Sequence, residues 1–178
     1  MTTIRTLILF STLAIAGCSQ SQGFEIPDFR HYFEKPEPIA RQAMVAWQYL
    51  DYGETSHRQE LKALTGVDPV RTEWCAAFIN AVLRESGIEG SESVSDYPLT
   101  ARSFLHWGEE VEEPNIGDII VFPRGNVAWQ GHVGFYFGSV NVNGIEYYKI
   151  LGGNQDNKVS VDLFPASKAI GIRRQLPI

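Results

Sequence analysis

The spacing of apolar residues changes along the chain, from a helical repeat in the first part to strand-like runs after about residue 117. Apolar side chains that recur every three or four residues predict helices, and short apolar runs bounded by Gly, Pro and Asn predict strands. The predicted helices cover 38–52, 59–65, 73–86 and 99–107. The predicted strands cover 118–122, 132–140, 145–151, 158–163 and 169–174. Helices followed by a meandering antiparallel sheet indicate an α+β fold, with the N-terminal helices packed on the sheet.

Local signals mark the ends of two of these elements. Thr72 is the predicted N-cap of the helix over 73–86, because its side chain accepts from free N–H groups, and Gly87 is the predicted C-cap. With this cap, Cys75 is the third helical residue and lies inside the first turn. Asn143-Gly144, between two strands, predicts a tight type I′ hairpin.

The start of the chain predicts export and lipidation. The stretch 6–16 is mostly apolar and uncharged, which suits a secretory signal, and it is too short to cross a membrane. The run Ile-Ala-Gly-Cys that ends at Cys18 resembles the lipobox of bacterial lipoproteins, which implies cleavage before Cys18 and a lipid anchor on it. An ordinary signal peptide is the alternative. The predicted organisation is a signal peptide at 1–17, a lipidated N-terminus and tether at 18–37 and one domain at 38–178.

Composition narrows the set of partners. The chain has 15 Lys and Arg against 21 Asp and Glu, a formal net charge of −6, and no basic cluster. Nucleic acid is therefore not an expected partner. The four histidines and two cysteines show no metal-ligand spacing, so neither a metal ion nor another cofactor is expected.

Cys75 is the candidate nucleophile. The first turn of a helix offers free N–H groups and the positive end of the helix dipole, which lower the pKa of a thiol and can hold an oxyanion. Lipidation accounts for Cys18, so Cys75 has no evident disulfide partner within the chain. The alternative is a buried structural cysteine on an amphipathic helix.

His132 opens a predicted strand and is the candidate general base. Val133 and Phe135 alternate to the core face, so His132 is expected to point toward the place where the helix of Cys75 packs. Outside that context, a histidine at the start of a strand is usually a loop-edge residue.

A third polar group should accept the other N–H of the imidazole. The segment 152–155 ends the strand that pairs with the strand of His132. Counting back from the two-residue hairpin places Gln155 opposite His132, whereas a bulge at the two glycines of this segment places Asn154 there. We favour Asn154 and keep Gln155 as the rival. Turn residues without a catalytic role are the alternative to both.

Four short motifs follow one another along the chain. They are Trp74-Cys75-Ala76-Ala77-Phe78, Pro114-Asn115-Ile116-Gly117-Asp118-Ile119-Ile120-Val121-Phe122, Gly131-His132-Val133-Gly134-Phe135-Tyr136 and Leu151-Gly152-Gly153-Asn154-Gln155. In this order, over about residues 40–174, they resemble the NlpC/P60 and CHAP superfamily of papain-like peptidoglycan hydrolases. The resemblance implies a papain-like fold, with Cys75 as nucleophile, His132 as general base and Asn154 as the orienting residue.

The resemblance and the export signal together predict a thiol hydrolase that faces the periplasm or the cell envelope and is anchored to a membrane by lipid. It is expected to cut an amide bond of peptidoglycan through a thioester, either within the wall peptide or between sugar and peptide. Two rival functions are a non-catalytic cell-wall-binding lipoprotein and a Cys–His lipid acyltransferase. Trp74, Trp107 and Trp129 lie near the motifs, where they either line a cleft or belong to the core.

Overall fold

The α-helices precede the strands in this computed structural model, which describes residues 40–176 of the 178-residue chain. The α-helices are α1 (Arg41–Trp47), α2 (Arg58–Thr65) and α3 (Cys75–Glu85). Short 3₁₀ helices span Ser91–Ser93, Ala101–His106 and Ala166–Lys168. None of the described helices is long and apolar enough to cross a membrane. The predicted signal peptide, the lipidation site Cys18 and the tether fall outside the described residues.

The strands of the described chain form one antiparallel sheet. They are β1 (Glu109–Glu110), β2 (Ile119–Pro123), β3 (Gly131–Val142), β4 (Ile145–Gln155), β5 (Lys158–Pro165) and β6 (Gly171–Arg174). Their order across the sheet is β1-β6-β2-β3-β4-β5, and every neighbouring pair is antiparallel. Helices packed on an antiparallel sheet confirm the predicted α+β class.

Both faces of the central strands are buried. On one face α3 packs against β3 and β4, and the ring of Trp74 lies against the backbone of Gly153. The other face carries a second apolar cluster, which consists of Ile120, Phe122, Tyr148 and Ile150, with Phe164 packed against it. Because side chains alternate between the two faces, a polar residue on these strands is buried whichever way it points.

The helix that carries Cys75 starts later than predicted. It begins at Cys75 and not at residue 73, after Trp74 with φ −117° and ψ 12°, and no side chain caps it. The prediction of Thr72 as the N-cap is therefore wrong, and Cys75 is the first helical residue and not the third. At the other end the helix stops at Glu85 with Ser86 as its C-cap, one residue before the predicted C-cap Gly87. Gly87 follows with φ +76°, the left-handed conformation that stops helices.

The remaining elements follow the sequence pattern with different lengths. The helix predicted at 59–65 matches α2, whereas α1 is shorter than the predicted 38–52 because the chain continues in turns after Trp47. The segment predicted as a helix at 99–107 is a 3₁₀ helix. Asn143 and Gly144 have φ of 53° and 82°, which confirms the type I′ hairpin. The two-residue β1 has no apolar pattern and was not predicted.

We expect Gly153→Ala to lower the free energy of unfolding by about 1–3 kcal/mol. A Cβ at this position would lie 2.5 Å from the ring of Trp74 and 2.8 Å from the Cβ of Phe78, so α3 would have to move away from the sheet. Urea unfolding followed by circular dichroism measures the change. An unchanged unfolding midpoint would show that the contact between α3 and β4 is looser than described.

Candidate active site

Cys75 lies where the start of α3 meets the sheet. The residue is 5% exposed, and its sulfur accepts the backbone N–H groups of Val133 and Ala76. Val133 belongs to β3 and directly follows His132. The thiol is therefore held one residue along the strand from the candidate base.

Burial raises the pKa of the Cys75 thiol. The guanidinium of Arg124 and the two backbone N–H groups act in the opposite direction, and the carboxylate of Glu73 adds to the increase. Removal of a thiolate from water outweighs the groups that favour it. The expected lowering of the thiol pKa by the helix end is thus wrong in direction, because Cys75 is shielded from solvent as well as placed at the start of a helix.

His132 lies on the face of the sheet opposite to α3. Its ring stacks on that of Phe164 at 5.2 Å with an interplanar angle of 10°, and it pairs across the strands with Phe122 of the second apolar cluster. The prediction that His132 points toward the helix of Cys75 is wrong. The alternation of apolar residues predicted the buried face of Val133 correctly, but it does not reveal that the opposite face is buried as well.

Gln155, and not Asn154, is the partner of the His132 ring. The Oε1 atom of Gln155 lies 2.8 Å from Nε2 of His132. The side chain of Asn154 instead donates from Nδ2 to Oε2 of Glu73 at 2.6 Å. The preference for Asn154 is therefore corrected: the side chain that contacts the imidazole is that of the rival, Gln155.

Two register changes explain this outcome. Counting from the hairpin places Gln155 opposite His132, but a bulge in β3 between Tyr136 and Ser139 shifts the pairing by one residue and brings Asn154 level with the histidine. Asn154 then adopts φ +59°, at a second register change near the end of β4. This turn of the backbone directs the Asn154 side chain to the rim of the site and leaves Gln155 on the face of His132.

The amide of Gln155 fixes which nitrogen of His132 carries the proton. Its Nε2 donates to the backbone oxygens of Ser160 at 2.7 Å and Ile150 at 3.2 Å. A carbonyl oxygen only accepts, so the amide nitrogen must face these two groups and Oε1 must face the ring. Oε1 also only accepts. Nε2 of His132 is therefore the donor, and Nδ1 holds a free lone pair.

Burial lowers the pKa of His132 to about 4. The hydrogen bond to Gln155 acts in the opposite direction, and the nearby charge of Arg124 adds to the decrease. The imidazole is therefore neutral at pH 7. Its Nδ1 is buried and has no hydrogen-bond partner among the described residues. A neutral ring with an unpartnered lone pair is the form in which a histidine accepts a proton.

The structure brings His132 and Gln155 together but leaves Cys75 without a direct bond to either. Among residues 40–176, the hydrogen bonds of Cys75 and His132 include none between their two side chains. The thiol and the imidazole are both neutral in this state, and backbone N–H groups hold the sulfur in place.

A cleft of about 510 Å³ opens beside Cys75. It is lined by the start of α3, by the segment around the second 3₁₀ helix, by the loop between β2 and β3 and by the turn after β4. On its rim, Arg124 lies 3.4 Å from Oε2 of Glu73 and 3.5 Å from the backbone oxygen of Asn154. Cys75 is among the residues that line this cleft.

The three tryptophans near the motifs have different environments. Trp74 and Trp107 are buried in the core, whereas Trp129 is 66% exposed and lines the cleft. The sequence motifs do not separate these cases, because all three residues are close to them along the chain. Only Trp129 is on a loop between strands, where an aromatic side chain has no core to enter.

Within residues 40–176, no group of three or more His, Cys, Asp or Glu side chains is arranged to hold a metal ion. The candidate site consists of the buried thiol of Cys75 beside a cleft, the neutral imidazole of His132 on the neighbouring strand and the amide of Gln155, which fixes the imidazole tautomer. Comparison of the chain with protein-family models, curated proteins and solved structures finds no match.

Proposed function

We propose that the protein is a cysteine-dependent hydrolase that cuts an amide bond in the peptide part of peptidoglycan. Cys75 is the nucleophile, His132 the general base and Gln155 the residue that orients the imidazole. One observation carries the proposal: Nδ1 of His132 is buried, deprotonated and unpartnered among the described residues, on the strand whose next residue bonds the Cys75 sulfur.

The reaction begins with a local movement of the thiol. The sulfur of Cys75 leaves the N–H of Val133 and approaches Nδ1 of His132, in the way that loose catalytic hydrogen bonds tighten when substrate binds. The S–H proton passes to Nδ1 as the sulfur attacks the carbonyl carbon, and Nδ1 then gives the proton to the leaving amine. Water attacks the resulting thioester with His132 again as base, which releases a carboxylic acid and restores the thiol.

The start of α3 supplies the groups that stabilise the developing negative charge. The backbone N–H of Cys75 is at the open end of the helix, where the first N–H groups lack intrahelical acceptors. This N–H donates to the oxyanion of the tetrahedral intermediate. The guanidinium of Arg124 lines the same cleft and favours negative charge at Cys75.

The fold we propose is papain-like, of the NlpC/P60 and CHAP type. It is supported by a nucleophile at the start of a helix that packs on an antiparallel sheet, and by a base and an orienting amide on neighbouring strands. Peptidoglycan as substrate rests on the resemblance of the motifs. An envelope location with a lipid anchor on Cys18 rests on the N-terminal sequence.

Purified peptidoglycan incubated with the full chain tests the proposal. We expect new soluble fragments by mass spectrometry, each with the free amine or carboxyl group of one hydrolysed amide, and none from a Cys75→Ala twin. The masses identify the bond. If neither folded protein releases fragments, the proposed activity on this polymer is contradicted.

Gln155→Ala is expected to lower kcat by about 10–100-fold with a smaller change in KM, because the imidazole loses its orienting acceptor while the cleft is retained. Asn154→Ala is the matched control, since it removes the neighbouring amide, which contacts Glu73 and not His132. Steady-state kinetics on a soluble wall peptide compare the two variants. A larger loss in Asn154→Ala would restore Asn154 as the orienting residue.

A wall-binding protein without catalysis is the second candidate. One observation favours it: the Cys75 thiol is buried, has a raised pKa and is not bonded to His132. A binding module needs neither a reactive thiol nor a base. Sedimentation with insoluble peptidoglycan separates the two functions, because wild type that binds the polymer, releases nothing and matches Cys75→Ala in affinity supports binding alone.

A further inference from the structure

Three cavities adjoin one another along the surface that contains Cys75. The central cleft shares Thr100 and Trp129 with a cavity of about 380 Å³ on one side. It shares Glu73, Asn154 and Asn157 with a cavity of about 280 Å³ on the other side. The two outer cavities share no lining residue. Cys75 therefore lines the central part of an extended groove that continues into two separate arms.

One arm is aromatic. We call the cavity lined by Tyr97, Thr100, Arg102 and Trp129 the aromatic arm. Tyr97 is 74% exposed and Trp129 is 66% exposed. Two large rings left in solvent on one small surface are unusual in a domain that buries Trp74 and Trp107, and such patches mark binding sites.

The aromatic arm is held in shape by hydrogen bonds at both sides. The backbone N–H and Oγ1 of Thr100 bond the carbonyl oxygen of Tyr97 at 3.0 and 2.8 Å. The Nε of Arg102 donates to the carbonyl oxygen of Gln130, next to Trp129, at 2.9 Å. Within the described chain, no hydrogen bond or ion pair engages the terminal nitrogens of Arg102. They remain available to oxygen atoms of a ligand.

The other arm is polar. It is lined by Glu54, Arg71, Thr72, Glu73, Asn154 and Asn157, together with Pro69 and Val70. Charged groups of both signs and side-chain amides suit a peptide that carries carboxylates, an amine and backbone N–H and C=O groups. The two arms therefore differ in the chemistry that they can bind, which gives the groove a direction.

The geometry points to a sugar ring of the wall polymer as the occupant of the aromatic arm, with its attached peptide running past Cys75 into the polar arm. The C–H groups on one face of a sugar ring carry partial positive charge and pack on the negative face of an aromatic ring. The oxygen atoms around its edge accept from a guanidinium. A sugar next to the central cleft places the first amide bonds of the peptide over the sulfur. This inference rests on the proposed function and specifies its substrate as a glycopeptide cut close to the sugar.

Calorimetric titration of the Cys75→Ala full chain tests the inference without turnover. The two probes are a disaccharide-peptide unit of peptidoglycan and the same peptide without its sugars. We expect the glycopeptide to bind roughly tenfold more tightly than the peptide. Adding Trp129→Ala should remove this difference, and adding Trp129→Phe should keep most of it. Ile145→Ala, which truncates a half-exposed apolar residue at the hairpin and outside the three cavities, is the control and should change neither affinity.

The outcomes separate this inference from the proposed function. Equal affinity for the two probes, or a preference that survives Trp129→Ala, overturns the sugar site even if the wild type cuts the wall peptide. A preference that Trp129→Ala abolishes supports the sugar site even if the wild type cuts nothing. If lipid vesicles bind the protein, compete with the glycopeptide and lose their binding in Trp129→Ala, the ligand of the aromatic arm is an acyl chain and not a sugar. This result would overturn the inference.

Discussion

Serine in place of Cys75 is expected to lower kcat/KM on a wall peptide by more than about a thousandfold. A hydroxyl holds its proton far more firmly than a thiol does, so the imidazole of His132, whose pKa is about 4, accepts that proton far less readily than it accepts the proton of a thiol. Serine is close to cysteine in size, so the start of α3 should keep its structure. The loss should therefore be chemical and not conformational.

The measurement is the initial rate of amide cleavage by wild type, Cys75→Ser and Cys75→Ala at equal concentrations, with thermal unfolding of each protein as the control for folding. Alkylation of the wild type by iodoacetamide should abolish the same activity, and it should be slow because the thiol is buried and its pKa is raised. Full activity in either variant would exclude Cys75 as the nucleophile.

Acidification is expected to destabilise the protein through His132. Its pKa is lowered from 6.5 to about 4 in the folded state, so between these two values the unfolded chain binds a proton that the folded chain does not. This contribution to stability is complete above the unfolded pKa and is lost as the pH falls through the window toward the folded pKa. The total from this one residue is about 3 kcal/mol.

His132→Gln tests the prediction, because glutamine does not titrate. Between neutral pH and about pH 4, the free energy of unfolding of the wild type should fall by about 3 kcal/mol more than that of the variant. His106→Gln, at an exposed histidine, is the matched control and should keep the steep fall. His132→Gln should also lower kcat by about 10²–10⁴-fold, because the general base is removed. Parallel pH profiles for wild type and His132→Gln would contradict the described burial of the ring.

The sequence was informative wherever a local rule governs the structure. Asn143-Gly144 predicted its hairpin, Gly87 marked the end of a helix, and the apolar runs predicted the central strands, since each depends on a few neighbouring residues. Cys75 and His132 were predicted as site residues from their positions in the first turn of a helix and at the start of a strand. The structure places both beside the same residue, Val133.

The same local rules could not predict features that depend on residues far apart in the sequence. The second apolar cluster covers the face that holds His132, and its member Phe122 and its neighbour Phe164 come from separate strands, so no single segment reveals it. The choice between Asn154 and Gln155 depends on two register changes in different strands, each of which reverses the effect of the other. A prediction that includes only one of them selects the wrong residue.

The amide of Gln155 makes the orientation of the histidine independent of ionic strength. A carboxylate in this position would carry a charge that raises the pKa of the imidazole and that acid removes. A neutral amide, anchored by the backbone oxygens of Ile150 and Ser160, has neither property. The ring of His132 should therefore stay oriented in dilute and in concentrated salt, while the ion pair between Arg124 and Glu73 on the rim weakens as salt is added. A change in salt concentration therefore alters the ion pair at the entrance to the site but leaves the orientation of His132 unchanged.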